Sequence, residues 1–182
     1  MFVINIYLKI AIILFCLLGG VVLAFTIGFW YAFPILLIGV LFLLSYIFLG
    51  TIQSAAQFMQ TMDFESCEKR LALTIKPEWL YVTNRAYYYL IKGSVDVQRE
   101  RHNEAEGWFN KALSLKLPSD NEKAMILIQM INIHISKSRW TQANNTYREL
   151  KKLNYSKEMF KEQVKMIDQV IGQQGKMKMM GQ

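Results

Sequence analysis

The pattern of apolar and polar positions splits the chain at residue 63. Before Asp63 only Lys9 carries a charge, whereas from Asp63 onward charged and apolar positions interleave at helical spacing. The apolar run over 10–27, extended by 6–8, reaches the ~20 residues that a helix needs to cross the hydrocarbon core of a bilayer. Lys9 is placed to extend its ammonium to the interface. A second apolar run covers 34–52. Gly28, Trp30, Tyr31 and Pro34 between the two predict a tight turn, with aromatic rings at headgroup depth and proline at a first helical position. Residues 1–50 thus read as a two-helix transmembrane hairpin, with helices over 6–27 and 34–52. A cleaved signal peptide would have a shorter apolar core, ~7–15 residues, and bulky Phe15 before Cys16 argues against a lipoprotein. Gly19, Gly20 and Gly39 suit close packing of the two helices within the hairpin.

Beyond the hairpin the apolar pattern repeats. Ala105, Phe109 and Ala112 recur 38 residues later as Ala143, Tyr147 and Leu150, and 38 earlier as Cys67, Leu71 and Thr74. The same register aligns Ala55, Gly93 and Ile131, and Thr51, Tyr89 and Leu127. Spacings of four and three put each triplet on one helical face, with the small residue admitting a neighbouring helix and the large one filling the space beside it. Short helices are predicted over 64–75, 103–115 and 140–153. Pro77 opens a helix to about Gln98, and Ser119 with Glu122 forms a capping box for a helix to about Ser136. Ser156 caps a last helix whose Phe160, Val164, Ile167 and Ile171 share a face, fitted to close the open end of the stack. In this register the first repeat helix starts near Phe48, so the second membrane helix and the first repeat helix read as one rod. Residues 172–182, rich in Gly, Lys, Met and Gln, read as a disordered tail.

At Tyr89, Gly93, Ala105, Phe109, Ala112 and Pro118 the chain resembles the tetratricopeptide repeat family, whose pattern runs large-apolar, Gly, then Ala, aromatic, Ala and a closing Pro. The resemblance covers roughly residues 48–155. It departs from the family in its 38-residue period, where 34 is usual, in Ile131 for the glycine, and in Cys67 and Thr74 for alanines. The resemblance implies an all-α fold, with the hairpin followed over 51–171 by an α-solenoid of about three helix pairs and a C-terminal capping helix. It also implies a concave face lined by the first helix of each pair, which by register nominates Tyr87, Leu90, Ser94, Met125, Ile128 and Asn132 as a partner-binding groove. Gly93, Ala105, Phe109, Ala112, Ala143, Tyr147 and Leu150 become the repeat-packing set. The groove set is mostly apolar, so the expected ligand is an apolar or amphipathic helix, with the protein's own last helix as the competing occupant.

Composition narrows the function classes. Across 182 residues 53% are hydrophobic and 19% charged, which excludes a disordered chain, and two cysteines give no disulfide framework. The net charge is +7, and all Lys and Arg other than Lys9 follow the second apolar run. The uncharged hairpin tip is therefore the part that crosses, which predicts a bacterial inner-membrane protein with both termini and the repeats cytoplasmic. Residues 151–178 hold seven lysines against Glu158, Glu162 and Asp168, a solvated charged face that also suits anionic lipid. Only His102 and His134 are histidines, no pair with Cys67 has metal-ligand spacing, and no Gly-rich phosphate loop exists. No catalytic residue, metal or cofactor is expected, and His134 reads as a packed helix residue. Nucleic-acid binding lacks a motif. The expectation is an interaction scaffold whose partners are a protein helix and the lipid bilayer; the alternative is an accessory subunit of a membrane transport or secretion complex.

Overall fold

The computed structural model of the chain describes residues 6–49 and 51–180, with side chains over 7–49 and 51–174. Among these residues the protein is all-helical. The elements are α1 (Ile6–Thr26), α2 (Phe29–Leu49), α3 (Ile52–Gln60), α4 (Phe64–Ala72), α5 (Val82–Gln98), α6 (His102–Leu113), α7 (Asp120–Ser136), α8 (Trp140–Lys151) and α9 (Lys161–Met180), plus a 3-10 turn at Pro77–Trp79.

α1 and α2 have 21 residues each, about 32 Å at ~1.5 Å per residue, against a hydrocarbon thickness of ~30 Å. Both are long and apolar enough to cross a membrane. They pack as a hairpin held by small residues. A Cβ on Gly20 would lie 2.6 Å from Leu36 Cδ2, and one on Gly39 would lie 3.0 Å from Leu17 Cδ2. Gly19, by contrast, faces open space. The reversal is tighter than the sequence suggests: Gly28 takes φ +121°, a region open to glycine without strain, and α2 begins at once with Phe29. Trp30, Tyr31 and Pro34 therefore lie inside α2 rather than in a turn. Pro34 fits because its ring fixes a helical φ, and it forfeits one bond, to the Trp30 carbonyl.

The polar part is built from helix pairs α3–α4, α5–α6 and α7–α8, each packed internally and against the next. Their backbones repeat with the 38-residue period seen in the sequence. First helices end at Gln60, Gln98 and Ser136, and second helices start at Phe64, His102 and Trp140. Between them Met62, Glu100 and Ser138 adopt left-handed φ of 56°, 59° and 56°. The following N–H closes each turn: Asp63 to Phe58 O at 3.0 Å, Arg101 to Asp96 O and Arg139 to His134 O, both at 2.8 Å. None of the three left-handed residues is glycine, so the strained position, costing ~1–2 kcal/mol per residue, is held by packing on either side.

That packing is the seam inside each pair. Cys67, Ala105 and Ala143 are fully buried, as are Leu71, Phe109 and Tyr147 one turn later to within a few percent. A Cβ on Gly93 would sit 2.6 Å from Phe109 Cε1, so α5 rests directly on the ring. Burying a side chain of that size contributes ~1.5–3 kcal/mol. Two core clusters result, one around Tyr89, Val95 and Phe109, the other around Leu127, Ile131 and Tyr147.

Several boundaries differ from expectation. The expected single rod is interrupted: beyond the described end of α2 at Leu49, Thr51, at φ −104° and ψ 10°, is not helical and precedes a separate α3. The buried Thr51 hydroxyl instead donates to Arg70 O at 2.6 Å, tying the junction to α4. Pro77 opens only the 3-10 turn, because extended Leu80 buries its side chain in the core before α5 begins at Val82. Ser119 caps α7, but it accepts from Asn121 N–H and donates its hydroxyl to Glu122, a variant of the expected box. Ser156 does not cap α9; its N–H donates to Asn121 Oδ1 at 2.8 Å, and the helix starts at Lys161. α9 runs through Met180, so 172–180 is helical where a disordered tail is expected. Lys, Met and Gln are good helix formers, enough to offset ~1 kcal/mol for each glycine. Residues 1–5, Gly50, Gly181 and Gln182, which the expected hairpin and tail include, lie outside the described residues.

The seam makes a test. Gly93→Ala gains ~1 kcal/mol of helix propensity but overpacks a fully buried ring, which costs ~1–3 kcal/mol. Gly107→Ala meets nothing within 4 Å and keeps only the gain. Thermal unfolding in detergent should show a lower midpoint for the first variant and an equal or higher one for the second; shifts of the same sign and size would contradict the seam.

Candidate functional site

The six groove residues occupy one face of α5 and α7, but they are not equally available. Leu90, Ser94 and Ile128 are buried, Tyr87 is half-buried, and Met125 and Asn132 are exposed. Leu90 belongs to the first core cluster. Ile128 shares the second cluster with Phe160 and Ile167, because α9 packs on α7. The Tyr87 hydroxyl donates to Glu122 Oε1 at 2.7 Å, bridging α5 to the start of α7. Burial and that carboxylate push the Tyr87 phenol up to about 12.

α9 and the loop before it are held at three places. Asp168 accepts from the Tyr147 hydroxyl and lies 3.4 Å from Lys151 Nζ, fixing α9 to α8. Phe160 is buried against Tyr155 in an edge-on pair, and Asn154 N–H donates to Asp120 Oδ2 at 2.9 Å, fixing the preceding loop to α7. Between α7 and α9 an open cleft remains, lined by Asn132, Ile135, Gln163, Met166 and Val170 over the buried Ile167. Met166 is 58% exposed, although it sits on the face next to the core. Of the nominated residues only Asn132 lines this cleft, and Met125 stands two turns before it on α7. The cleft is apolar with a few amide and hydroxyl groups at its rim, the chemistry that accepts methyl-bearing side chains of a helix.

A second constellation escaped the sequence reading. Glu68 on α4 lies 2.5 Å from Arg99 and 3.5 Å from Arg101, in the turn after α5, and 3.0 Å from Lys92. Glu106 on α6, 38 residues on, lies 3.3 Å from Lys137 and 3.1 Å from Arg139, in the turn after α7. Each acidic residue thus ties one pair to the turn of the next. Arg101 also pairs with Asp96, whose side chain is 3% exposed, so the arginine keeps a buried carboxylate from being stranded. His134 occupies the Asp96 register and is likewise buried.

The charges set the pH response. The Lys92 hydrogen bond, then neighbouring cations, hold Glu68 below its usual 4.5. Burial alone would raise Glu122, but hydrogen bonds from Ser119 and Tyr87 outweigh it and hold it low as well. Burial lowers His134 below 6.5, with Glu106 opposing and Arg139 and Lys137 assisting. Burial first, then the charges of Asp63 and Glu68, pushes the Cys67 thiol up to about 11, which leaves it protonated and unreactive near neutrality. No group of three His, Cys, Asp or Glu suited to a metal occurs among the described residues.

Comparison with protein-family models, with curated proteins and with solved structures finds no match to this chain.

The sign of the pH dependence follows from these directions. Glu68 and Glu122, held low, contribute stability above 4.5 that is lost as pH falls through their folded values. His134, also held low, resists the proton that the unfolded chain accepts below 6.5, so stability starts to fall there. Above 10 the unfolded Tyr87 ionises before the folded one, at about 12, and stability falls again. The unfolding midpoint should therefore be highest between 6.5 and 10 and decline on both sides, with Glu68→Gln flattening the acid limb. A midpoint that rises toward pH 4 would contradict the assignment.

Proposed function

We propose that the protein is a membrane-anchored helical-repeat scaffold, similar in build to tetratricopeptide repeats, that binds a short apolar or amphipathic helix of a protein partner at the cytoplasmic face of a bacterial inner membrane. The observation that carries the reading is the contrast between the two halves. α1 and α2 leave large apolar side chains in the open, with Phe15, Phe25 and Trp30 at 78%, 89% and 84% exposure. A contiguous apolar surface of that extent is untenable in water and ordinary in lipid. The helix pairs beyond Thr51 instead bury apolar faces against one another, and from Asp63 onward charged side chains interleave with them.

Stacked αα-hairpins of fixed period gain stability from each neighbour and present an extended face along the stack, and that arrangement supports recognition rather than chemistry. The Glu68 and Glu106 ties fit such an ordered series. The first pair carries Thr61 and Asp63 where the later turns carry basic residues, and the third pair carries Asn144 where the earlier ones carry Glu. The series thus has a first member next to the hairpin and a last member under α9. The partner site in this reading is the cleft between α7 and α9, where soft, unbranched Met166 accommodates varied apolar partners, with exposed Met125 two turns earlier on α7.

Site-directed photocrosslinking tests the reading. A photoreactive residue at Met166 should give a discrete protein adduct in membranes, and Val170→Glu should abolish it while the protein keeps its helical signal. The same residue at exposed Gln142, on α8, should give none. Identical adducts from both positions, or an adduct untouched by Val170→Glu, would overturn the site.

A further inference from the structure

The loop between α4 and α5 is tied to the last turn of α2. Tyr46 donates its hydroxyl to Leu73 O at 2.5 Å, Tyr81 N–H donates to Phe48 O at 3.0 Å, and Asn84 Nδ2 donates to Leu49 O at 3.2 Å. Phe48 O and Leu49 O are carbonyls of the α2 C-terminus, which have no partner in their own helix, whereas in the Tyr46 bond α2 is the donor. Tyr81 of the loop and Asn84 in the first turn of α5 supply those partners where the apolar run ends, and so the depth of the loop is fixed relative to the hairpin. The neighbouring end of α1 lies at the same level: Lys9 Nζ reaches Ser45 Oγ at 3.0 Å, and the Arg70 guanidinium lies 4.5 Å from the Tyr7 ring centroid.

The loop leaves an unusual set of side chains in the open. Ile75, Trp79 and Tyr81 are 59%, 49% and 65% exposed, continuous with exposed Phe48 and Leu49 on α2. Lys76 Nζ sits 4.9 Å from the Trp79 ring centroid. Beside Tyr81 the next loop brings Lys116 and Leu117, with Glu78 the one acidic side chain of the patch. Leu80, between Trp79 and Tyr81, is buried, so it anchors the loop while its neighbours stay outside. Trp, Tyr and Lys side by side at the end of a spanning helix match the interfacial layer, where an amphipathic ring has one side apolar and the other wet and a lysine meets lipid phosphate.

We infer that this patch is an interfacial anchor: Ile75, Trp79 and Tyr81 enter the headgroup region of the bilayer that α1 and α2 span, with Lys76 and Lys116 toward anionic lipid. The inference rests on the membrane reading above and adds a consequence to it. With the hairpin as one attachment and the loop as a second, the first helix pair cannot swing about Thr51, and the repeats are held at a fixed tilt over the membrane.

Tryptophan quenching in vesicles of mixed zwitterionic and anionic phospholipid separates the two claims. Three forms of the full chain each keep one tryptophan, Trp30, Trp79 or Trp140, with the others replaced by Phe. Nitroxide-labelled lipid at headgroup depth should quench Trp30 and Trp79 and leave Trp140, at the far end of the last pair, unchanged. Trp79 emission should also shift to the blue when the protein passes from detergent into vesicles. Quenching of Trp30 without Trp79 overturns the anchor and leaves the membrane reading standing, as expected if a protein covers the patch instead. Quenching of neither overturns both. If replacing Trp108 unfolds the chain, Trp79→Phe in the otherwise native protein reads the same outcomes by subtraction, as loss of the headgroup-quenchable emission or its absence.

Discussion

One packing rule recurs in the hairpin and the middle helix pair: a residue with little or no side chain on one helix faces a large side chain on its antiparallel neighbour. In the hairpin Gly20 receives Leu36 and Gly39 receives Leu17; in the middle pair Gly93 receives the Phe109 ring. The rule would serve in lipid and in water alike, for different reasons. In lipid, apolar contact between helices has no hydrophobic driving force, so association depends on close van der Waals approach. In water the same approach seals a ring from solvent and gains the transfer free energy as well. The left-handed turns at Met62, Glu100 and Ser138 likewise need both helices of their pair held in register, by the buried seams at Cys67, Ala105 and Ala143.

The repeats add a second constraint, between pairs rather than within them. Apolar contact sets distance but tolerates sliding, whereas Glu68 and Glu106 each meet two basic groups in the following turn and so favour one offset. Exposed ion pairs contribute little, and Glu65 with Lys69, both about three-quarters exposed, is of that kind. The Glu68 group differs because its side chain is 27% exposed and it shares Arg101 with a carboxylate that is almost wholly buried. At the hairpin end the constraint changes again: the hydroxyls of Tyr46 and Thr51 donate to the backbone carbonyls of Leu73 and Arg70.

Much of this was legible in the residues. The two apolar runs, the 38-residue period and the second helices near Phe64, His102 and Trp140 follow from spacing alone, since small and large apolar positions recur where seams must form. The ion-pair ties were present at the same period, but partners some 30 residues apart on different elements look like ordinary solvated charge until a register is applied to polar positions too. The break at Thr51 was hidden because a hydroxyl among apolar residues is compatible with a helix, and only the Arg70 carbonyl across the gap makes the break favourable. The groove nominations followed repeat register with the last helix as the competing occupant, and Phe160 and Ile167 of that C-terminal segment do pack against Ile128. The cleft with Met166 arises from that packing and has no local signal.

The central claim is that the hairpin crosses the bilayer and the helix pairs stand at its open end. Single-cysteine labelling tests it most directly. Cys67→Ala follows the residue at the same register in the other pairs, and Cys16→Ala removes the remaining thiol. One cysteine is then placed at exposed Ile27, near the hairpin tip, or at exposed Gln98, at the end of α5. A membrane-impermeant thiol reagent applied to right-side-out and to inverted vesicles should label Ile27→Cys only in the first and Gln98→Cys only in the second. Labelling of both positions from the same side would contradict the account.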